Sequence, residues 1–185
     1  MGRDAGHIAM SAGIAGGADI ILIPEIQYSM DRVCDHITTL HHRGKNYAIM
    51  IVAEAVCNEN GEKITHDLAL SQCRLGGVGQ YLADSISTRT GAETRVTVLG
   101  HVQRGGIPSP LDRLTATAFG VAATDLVAEG RFDRMVSWQN RQVVDVPIES
   151  AIAHYQAVDL GGTLVKTARA MGICLGEKTR IPVKV

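Results

Sequence analysis

The chain has 185 residues and a mass of 19.7 kDa, enough for one ordinary domain or two halves of a small one, and long enough to bury roughly 70% of its unfolded surface without disulfides or metals. Hydrophobic residues at 45% and charged residues at 20% exclude intrinsic disorder. Eighteen basic against nineteen acidic residues leave a net charge of −1, which gives no sign of a nucleic-acid or polyanion partner.

The main apolar runs, near 20–23 and 47–53, end at Pro24 and Glu54, well short of the ~20 residues of a membrane span. The opening Met1-Gly2-Arg3-Asp4 does not read as a signal peptide, so the chain is expected to be soluble and cytoplasmic. Cysteines stand at 34, 57, 73 and 174 with no CxxC spacing and no histidine at zinc-finger distance, so reduced, buried or half-buried thiols are expected. Two Phe, four Tyr and one Trp argue against stacking on bases.

In chain order, residues 5–16 are rich in Ala and Ile and predict a tightly packed helix ending at Gly16-Gly17. Residues 19–24 form a short apolar run closed by Pro24, the pattern of a buried strand. Ser29 and Asp31 offer a cap for a helix running to about His42, where Gly44 stops it. Residues 47–53 predict the next strand, and Glu54 follows it where open parallel sheets place their ligands. Residues 55–76 are polar and read as a loop with one short helix. A helix over 78–89, a strand over 94–99, a loop over 100–110 and a long helix over 111–129 come next. The last elements are a strand pair, 135–138 with 142–146, around Asn140, and a terminal helix over 161–171. Two alternating periods punctuated by twenty glycines predict an α/β fold.

Familiar phosphate signatures fail. Thr39 stands where a phosphate loop ending in Gly44-Lys45 needs glycine, and Leu82 occupies the last glycine position of a pattern begun at Gly77-Val78-Gly79. That second segment reads better as a flexible helix start. His36, His41 and His42 are spaced poorly for a shared metal and read as solvated helix surface. The informative segment is 95–106. A strand delivers His101 and Arg104 to its carboxyl end, and Gly105-Gly106 allow backbone amides close to a ligand. Arginine offers a planar fork to phosphate oxygens and histidine a second donor. A structural loop with an exposed arginine fits the same spacing.

HVQRGG at 101–106, the preceding ETRVTVLG, IAGGAD from Ile14 and the opening MGR resemble, in the right order, the second half of the 6-phosphofructokinase family, with an apparent insertion between Glu54 and Glu93. The resemblance implies a Rossmann-like three-layer sandwich with a mostly parallel sheet, and a site for fructose 6-phosphate. Met1, Gly2 and Arg3 match the turn that touches the sugar phosphate and brings an arginine near the transferred phosphoryl group. Glu54 matches the carboxylate that accepts from the fructose hydroxyls. His101 and Arg104 match the pair that binds the sugar phosphate within one subunit, and Arg95 an arginine that reaches a neighbouring subunit's substrate. Gly17, Asp19, Arg43 and Lys45 fall where allosteric members bind a nucleotide diphosphate or phosphoenolpyruvate. An ordinary basic helix end explains Arg43 and Lys45 at least as well.

The family's glycine-rich donor loop, its Mg-binding acid and the segment with the general base do not occur in the 185 residues. The resemblance therefore implies a fragment of a glycolytic phosphotransferase that converts fructose 6-phosphate to the 1,6-bisphosphate. Mg2+ and ATP or pyrophosphate would serve the intact enzyme, with neither expected on this chain alone and with the general base upstream. Residues 1–104 and 151–185 would form the sugar-phosphate domain, and 105–150 would pack on the missing donor half, leaving a Leu114, Val121 and Leu126 stripe uncovered. The expected partners are fructose 6-phosphate, the N-terminal half and further copies of the chain, with no nucleic acid and no membrane. The alternative is a non-catalytic sugar-phosphate-binding or assembly module.

Overall fold

The computed structural model describes residues 4–68, 72–75, 77–153 and 155–178. They form two compact units, residues 1–98 with 157–185, and residues 99–156.

The first unit is built around β1 (Ile20–Leu22), which is buried along its whole length, as its continuous apolar run requires. It pairs in parallel with β2 (Met50–Val52) in the register Ile20↔Met50, Ile21↔Ile51 and Leu22↔Val52. On its other edge a single parallel bridge joins Ile20 to Cys174. Both strands are shorter than their apolar runs; before β2, Tyr47 and Ile49 are exposed, although the Ile49 carbonyl still accepts from the Asp19 and Ile20 amides. The connection between them is α2 (Met30–His42), so this stretch is a β-α-β unit. At its end Gly44 takes a positive φ of 84° and Lys45 donates back to the Leu40 carbonyl.

The first helix, α1 (His7–Ala15), buries Ala9, Met10 and Gly13. A Cβ at Gly13 would run into Ile21, so the missing side chain is what lets the helix approach β1. The helix also contacts β2 and the terminal helix α6 (Thr163–Ala170). Between β2 and the next helix lies β3 (Thr65–Leu68), paired antiparallel with β4 (Gln72–Leu75) from Thr65↔Leu75 to Leu68↔Gln72. The sequence predicts a loop with one short helix over 55–76. The backbone satisfies its hydrogen bonds by pairing across a hairpin instead.

Helix α3 (Val78–Thr90) starts from Gly77 in the left-handed region, with φ of 82°, so the segment is a helix start as read there, and the helix packs on α2. The strand expected over 94–99 does not form, because no ladder partner reaches it among the described residues. It lies against α3 instead: Val96 sits beside Gly79, and the Thr94 hydroxyl donates to the Ala83 carbonyl at 3.3 Å.

The second unit opens with a 3-10 helix (Gly100–Arg104), followed by α4 (Pro110–Ala128). Ser109 and Asp112 form a reciprocal capping box at the start of α4, and Pro110 occupies its first turn. Strands β5 (Arg134–Gln139) and β6 (Gln142–Pro147) then form the expected hairpin, with Asn140 and Arg141 both at positive φ in its two-residue turn. Helix α5 (Ile148–Ile152), absent from the sequence expectation, closes the unit. Leu126 is buried at 8% exposure and so leaves the expected uncovered stripe, whereas Leu114 and Val121 stay in solvent. Leu126 is the buried residue of α4.

The architecture is α/β, with one parallel pair and two antiparallel hairpins among the described residues. No helix of the described residues is long and apolar enough to cross a membrane.

Candidate functional site

The parallel pair orients the first unit. Glu54 lies just past the carboxyl end of β2, exposed, while Asp19 lies just before the amino end of β1. The two positions therefore lie at opposite ends of the pair, a separation of roughly 17 Å along the strands at a strand's rise per residue. Crevices beyond the carboxyl ends of parallel strands are where open α/β sheets bind ligands, and Glu54 meets that condition. Met1, Gly2 and Arg3, the other candidates from this unit, lie outside the described residues.

At the amino end, two of the four candidates for effector binding hold each other. Lys45 Nζ donates to Asp19 Oδ1 at 2.5 Å, and the Ile49 amide donates to Asp19 Oδ2 at 2.9 Å. Lys45 also lies 4.8 Å from the centre of the Tyr47 ring. Burial works to raise the Asp19 carboxyl, but the Lys45 ammonium and the Ile49 amide prevail and hold it below the usual carboxylate range. Gly17 has a positive φ of 68° in the turn before β1, and Arg43 is the exposed C-cap of α2.

His36 corrects the reading of a solvated histidine trio. His41 and His42 are exposed, but His36 is half-buried on the α2 face toward Asp19. Burial pushes its imidazole below its ordinary value despite the nearby Asp19 carboxylate. The thiols of Cys34 and Cys174 are pushed up by burial, and Cys57 is half-buried; all three are free, and the Cys73 side chain falls outside the described set.

In the second unit, His101 and Arg104 stand on the 3-10 helix, where side chains three residues apart eclipse. They share one face and are both exposed. The sequence predicts a loop here. The helical turn, held by Val102 donating to Leu99 and Gly105 to Val102, is what aligns the pair. Gly106 follows with a φ of 100°, open to glycine. An imidazole beside a guanidinium, at the end of a helix turn and followed by two glycines, suits an oxyanion such as phosphate. Arg95, in the first unit, extends into solvent at 87% side-chain exposure with Glu93 as its ion-pair partner.

Glu25 escaped the sequence reading. It follows the buried run of β1 directly after Pro24, as Glu54 follows that of β2, and this shared placement was the available signal. No group of three or more His, Cys, Asp or Glu among the described residues could hold a metal ion.

The described candidates are thus a carboxylate beyond a parallel strand in the first unit and an exposed histidine–arginine turn in the second. Residues 1–127 match the family model described as phosphofructokinase, and the chain belongs to that family. It is 65% identical over 177 residues to ATP-dependent 6-phosphofructokinase 1 of a Nostoc species, covering 96% of this chain and 49% of that protein. The similarly named protein of a Synechocystis species is 61% identical over the same length and coverage. The chain thus spans about half the length of these relatives. Among solved structures, phosphofructokinase from Saccharomyces cerevisiae superposes with a TM-score of 0.65 at 26% identity, over 94% of this chain and 21% of that one. Pyrophosphate-dependent phosphofructokinase from Marinobacter aquaeolei shares the fold, with a TM-score of 0.67 over 100% of this chain and 48% of that one, at 21% identity.

Proposed function

We propose that the chain is the fructose-6-phosphate-binding, second half of a 6-phosphofructokinase that phosphorylates its sugar at the 1-position. The observation that carries this reading is the His101–Arg104 pair, aligned on one face of a 3-10 turn inside the segment matched by the family model. The pair would hold the 6-phosphate, Glu54 would accept from the sugar hydroxyls, and the Met1–Arg3 turn would approach the phosphoryl group in transit. Arg95, standing in solvent, would serve a neighbouring copy in a homo-oligomer. The relatives' names favour ATP over pyrophosphate as donor. Their length leaves room for a donor half that this sequence does not contain, with Mg2+ and the general base on it. The fold of the first unit would be completed as a Rossmann-like three-layer sandwich in the whole protein, working in the cytoplasm.

In this reading the chain's own residues bind and orient the acceptor, and do not transfer a phosphoryl group alone. Purified 185-residue protein should therefore show no turnover with ATP or pyrophosphate. It should bind fructose 6-phosphate weakly, near the millimolar range, because charge-assisted contacts worth ~1.5–3 kcal/mol each are missing. Titration followed by NMR should shift His101 and Arg104. Arg104→Ala should abolish binding, while Glu54→Gln should spare phosphate and weaken only the sugar. Shifts confined to Arg43 and Lys45 would place the pocket at the other end of the sheet and overturn the assignment.

A further inference from the structure

The second unit holds an open cleft of about 560 Å³ at the end of its hairpin away from the Asn140–Arg141 turn. There β5 begins opposite the last residue of β6, Arg134 against Pro147, and α5 follows at once. Phe132, Pro147 and Ile148 line the cleft with apolar surface, while Asp133, Arg134 and Glu149 line it with charge. Its volume lies in the range of small-molecule sites.

The charges in the lining do not balance. Arg134 is engaged outside it: Nε donates to Asp145 Oδ2 at 2.5 Å and Nη2 to the Asp145 carbonyl at 3.3 Å. Arg131 donates to the same carboxylate and to Glu129, so these two guanidiniums and two carboxylates neutralise one another. Asp133 and Glu149 are left with no ion pair or side-chain hydrogen bond among the described residues. Neither carboxylate holds the local fold together. Helix α5 has no side-chain cap, and the bond joining the two segments runs from the Ile148 amide to the Asp133 carbonyl at 3.0 Å, through backbone alone. Asp133 also holds a φ of 56°, which asparagine or glycine adopts at least as well, so the conformation does not account for the charge.

We propose that this cleft binds an aliphatic diamine, its ammonium groups on Asp133 and Glu149 and its methylene chain against Phe132, Pro147 and Ile148. Two uncompensated carboxylates match a dication, and the Phe132 ring, 66% exposed, offers its face to one of the ammonium groups. A hard metal ion fits less well, because such ions require several oxygen ligands and no group of three or more His, Cys, Asp or Glu among the described residues could hold one. The cleft shares no residue with the sugar-phosphate site, so the inference stands apart from that reading.

Glu149 lies in the first turn of α5, where a carboxylate also suits the helix end, and binding must be told apart from that role. The whole chain is titrated with putrescine, a four-carbon diamine, and followed by NMR, with melting temperatures alongside. Binding is expected near the millimolar range, as exposed ion pairs give, with shifts centred on residues 132, 133, 148 and 149. Raising the salt from about 0.02 to 0.15 M should weaken it severalfold. Asp133→Asn, which keeps the backbone conformation, and Glu149→Gln should each weaken it about threefold, as should Phe132→Ala. Asp125→Asn, which removes an exposed carboxylate of α4 outside the lining, should leave affinity unchanged. N-acetyl-lysine amide presents the same ammonium as a partner protein's lysine but carries one charge, and should bind more weakly than putrescine. If it binds as well or better, the free-diamine assignment falls. Shifts scattered over the acidic surface, or reproduced by Mg2+, would mean screening alone. So would an affinity untouched by both Asp133→Asn and Glu149→Gln, even where Glu149→Gln lowers the melting temperature, and either result overturns the proposal.

Discussion

The two units stabilise themselves in different ways. The first, residues 1–98 with 157–185, holds nearly the whole buried core: Met10, Ile20, Ile21, Leu22, Met30, Val33 and Val165 are at most 1% exposed. In the second, residues 99–156, Leu126 is the buried hydrophobic residue among those described, while Leu111, Leu114, Val121 and Phe132 are each more than half exposed. Local devices do more there: a capping box, a hairpin with a two-residue turn, and Asp145 held between Arg131 and Arg134. The candidate residues divide the same way. Glu54 and Arg95 belong to the unit with the core, and His101 and Arg104 to the unit that relies on local structure. Burial provides a rigid platform in the first case, and a short helical turn fixes relative orientation in the second.

Core truncation should break this contrast most visibly. Leu22→Ala removes a side chain 1% exposed and should cost about 2–5 kcal/mol, enough to unfold much of the first unit. Leu114→Ala removes one 70% exposed and should stay within about 0.5 kcal/mol. Chemical denaturation of the two variants checks both. Equal losses would mean that Leu114 is covered in solution, as it would be by self-association.

A second test concerns local structure alone. Ser109→Ala removes the side chain that accepts the Asp112 amide at 3.2 Å and should destabilise α4 by about 1 kcal/mol. Amide exchange should accelerate over 110–116 and stay unchanged over 20–22. Arg141→Gly should act in the opposite direction and more weakly. Arg141 holds a φ of 64°, which glycine adopts without strain, so the β5–β6 hairpin should gain about 0.5 kcal/mol. Slower exchange at the Ser137 and Val144 amides would show it.

Elements with a periodic pattern and their own turn chemistry were legible in the sequence. The β5–β6 hairpin, α3 and α4 fall within a residue or two of expectation, because Asn140, Gly77 and Ser109 each carry a local conformational reason to be where they are. What depended on distant partners was not legible. Residues 94–99 have a strand's composition, but a strand exists only through its ladder, and here Val96 and Thr94 find α3 instead. Residues 65–75 lack an apolar alternation, so their antiparallel pairing left little trace. The same rule governs the sites. His101 and Arg104 could be named from a contiguous motif, whereas Glu25 acts on Gly6 and Val158, and a contact between residues so far apart in sequence has no local signal.

The smallest effect is the one that reverses the order of the units. His36 has its imidazole pushed down, mainly by burial, so the folded state binds fewer protons than the unfolded chain as pH falls past 6.5, the ordinary value. Its neutral form therefore contributes stability above that pH, and the contribution is lost as pH falls through the lowered folded value. Asp19, also held low, extends the loss beneath 3.8. Both belong to the first unit. The second unit's carboxyls held low, Asp112 and Asp145, lose their contribution only beneath 3.8 as well. The groups that face His36 include Asp19, which favours its charged form, and Arg43 and Arg32, which oppose it. Mild acidification from pH 7 toward 5 should thus loosen the better-packed unit first. Amide exchange at Ile20, Ile21 and Leu22 should quicken relative to Val136 and Val144 once corrected for the intrinsic pH dependence of exchange. His36→Gln, which does not titrate, should remove that difference. If β1 keeps its lead over β5 and β6 at pH 5 in wild type, His36 is not charged at a cost to the first unit, and its burial has no influence on acid stability.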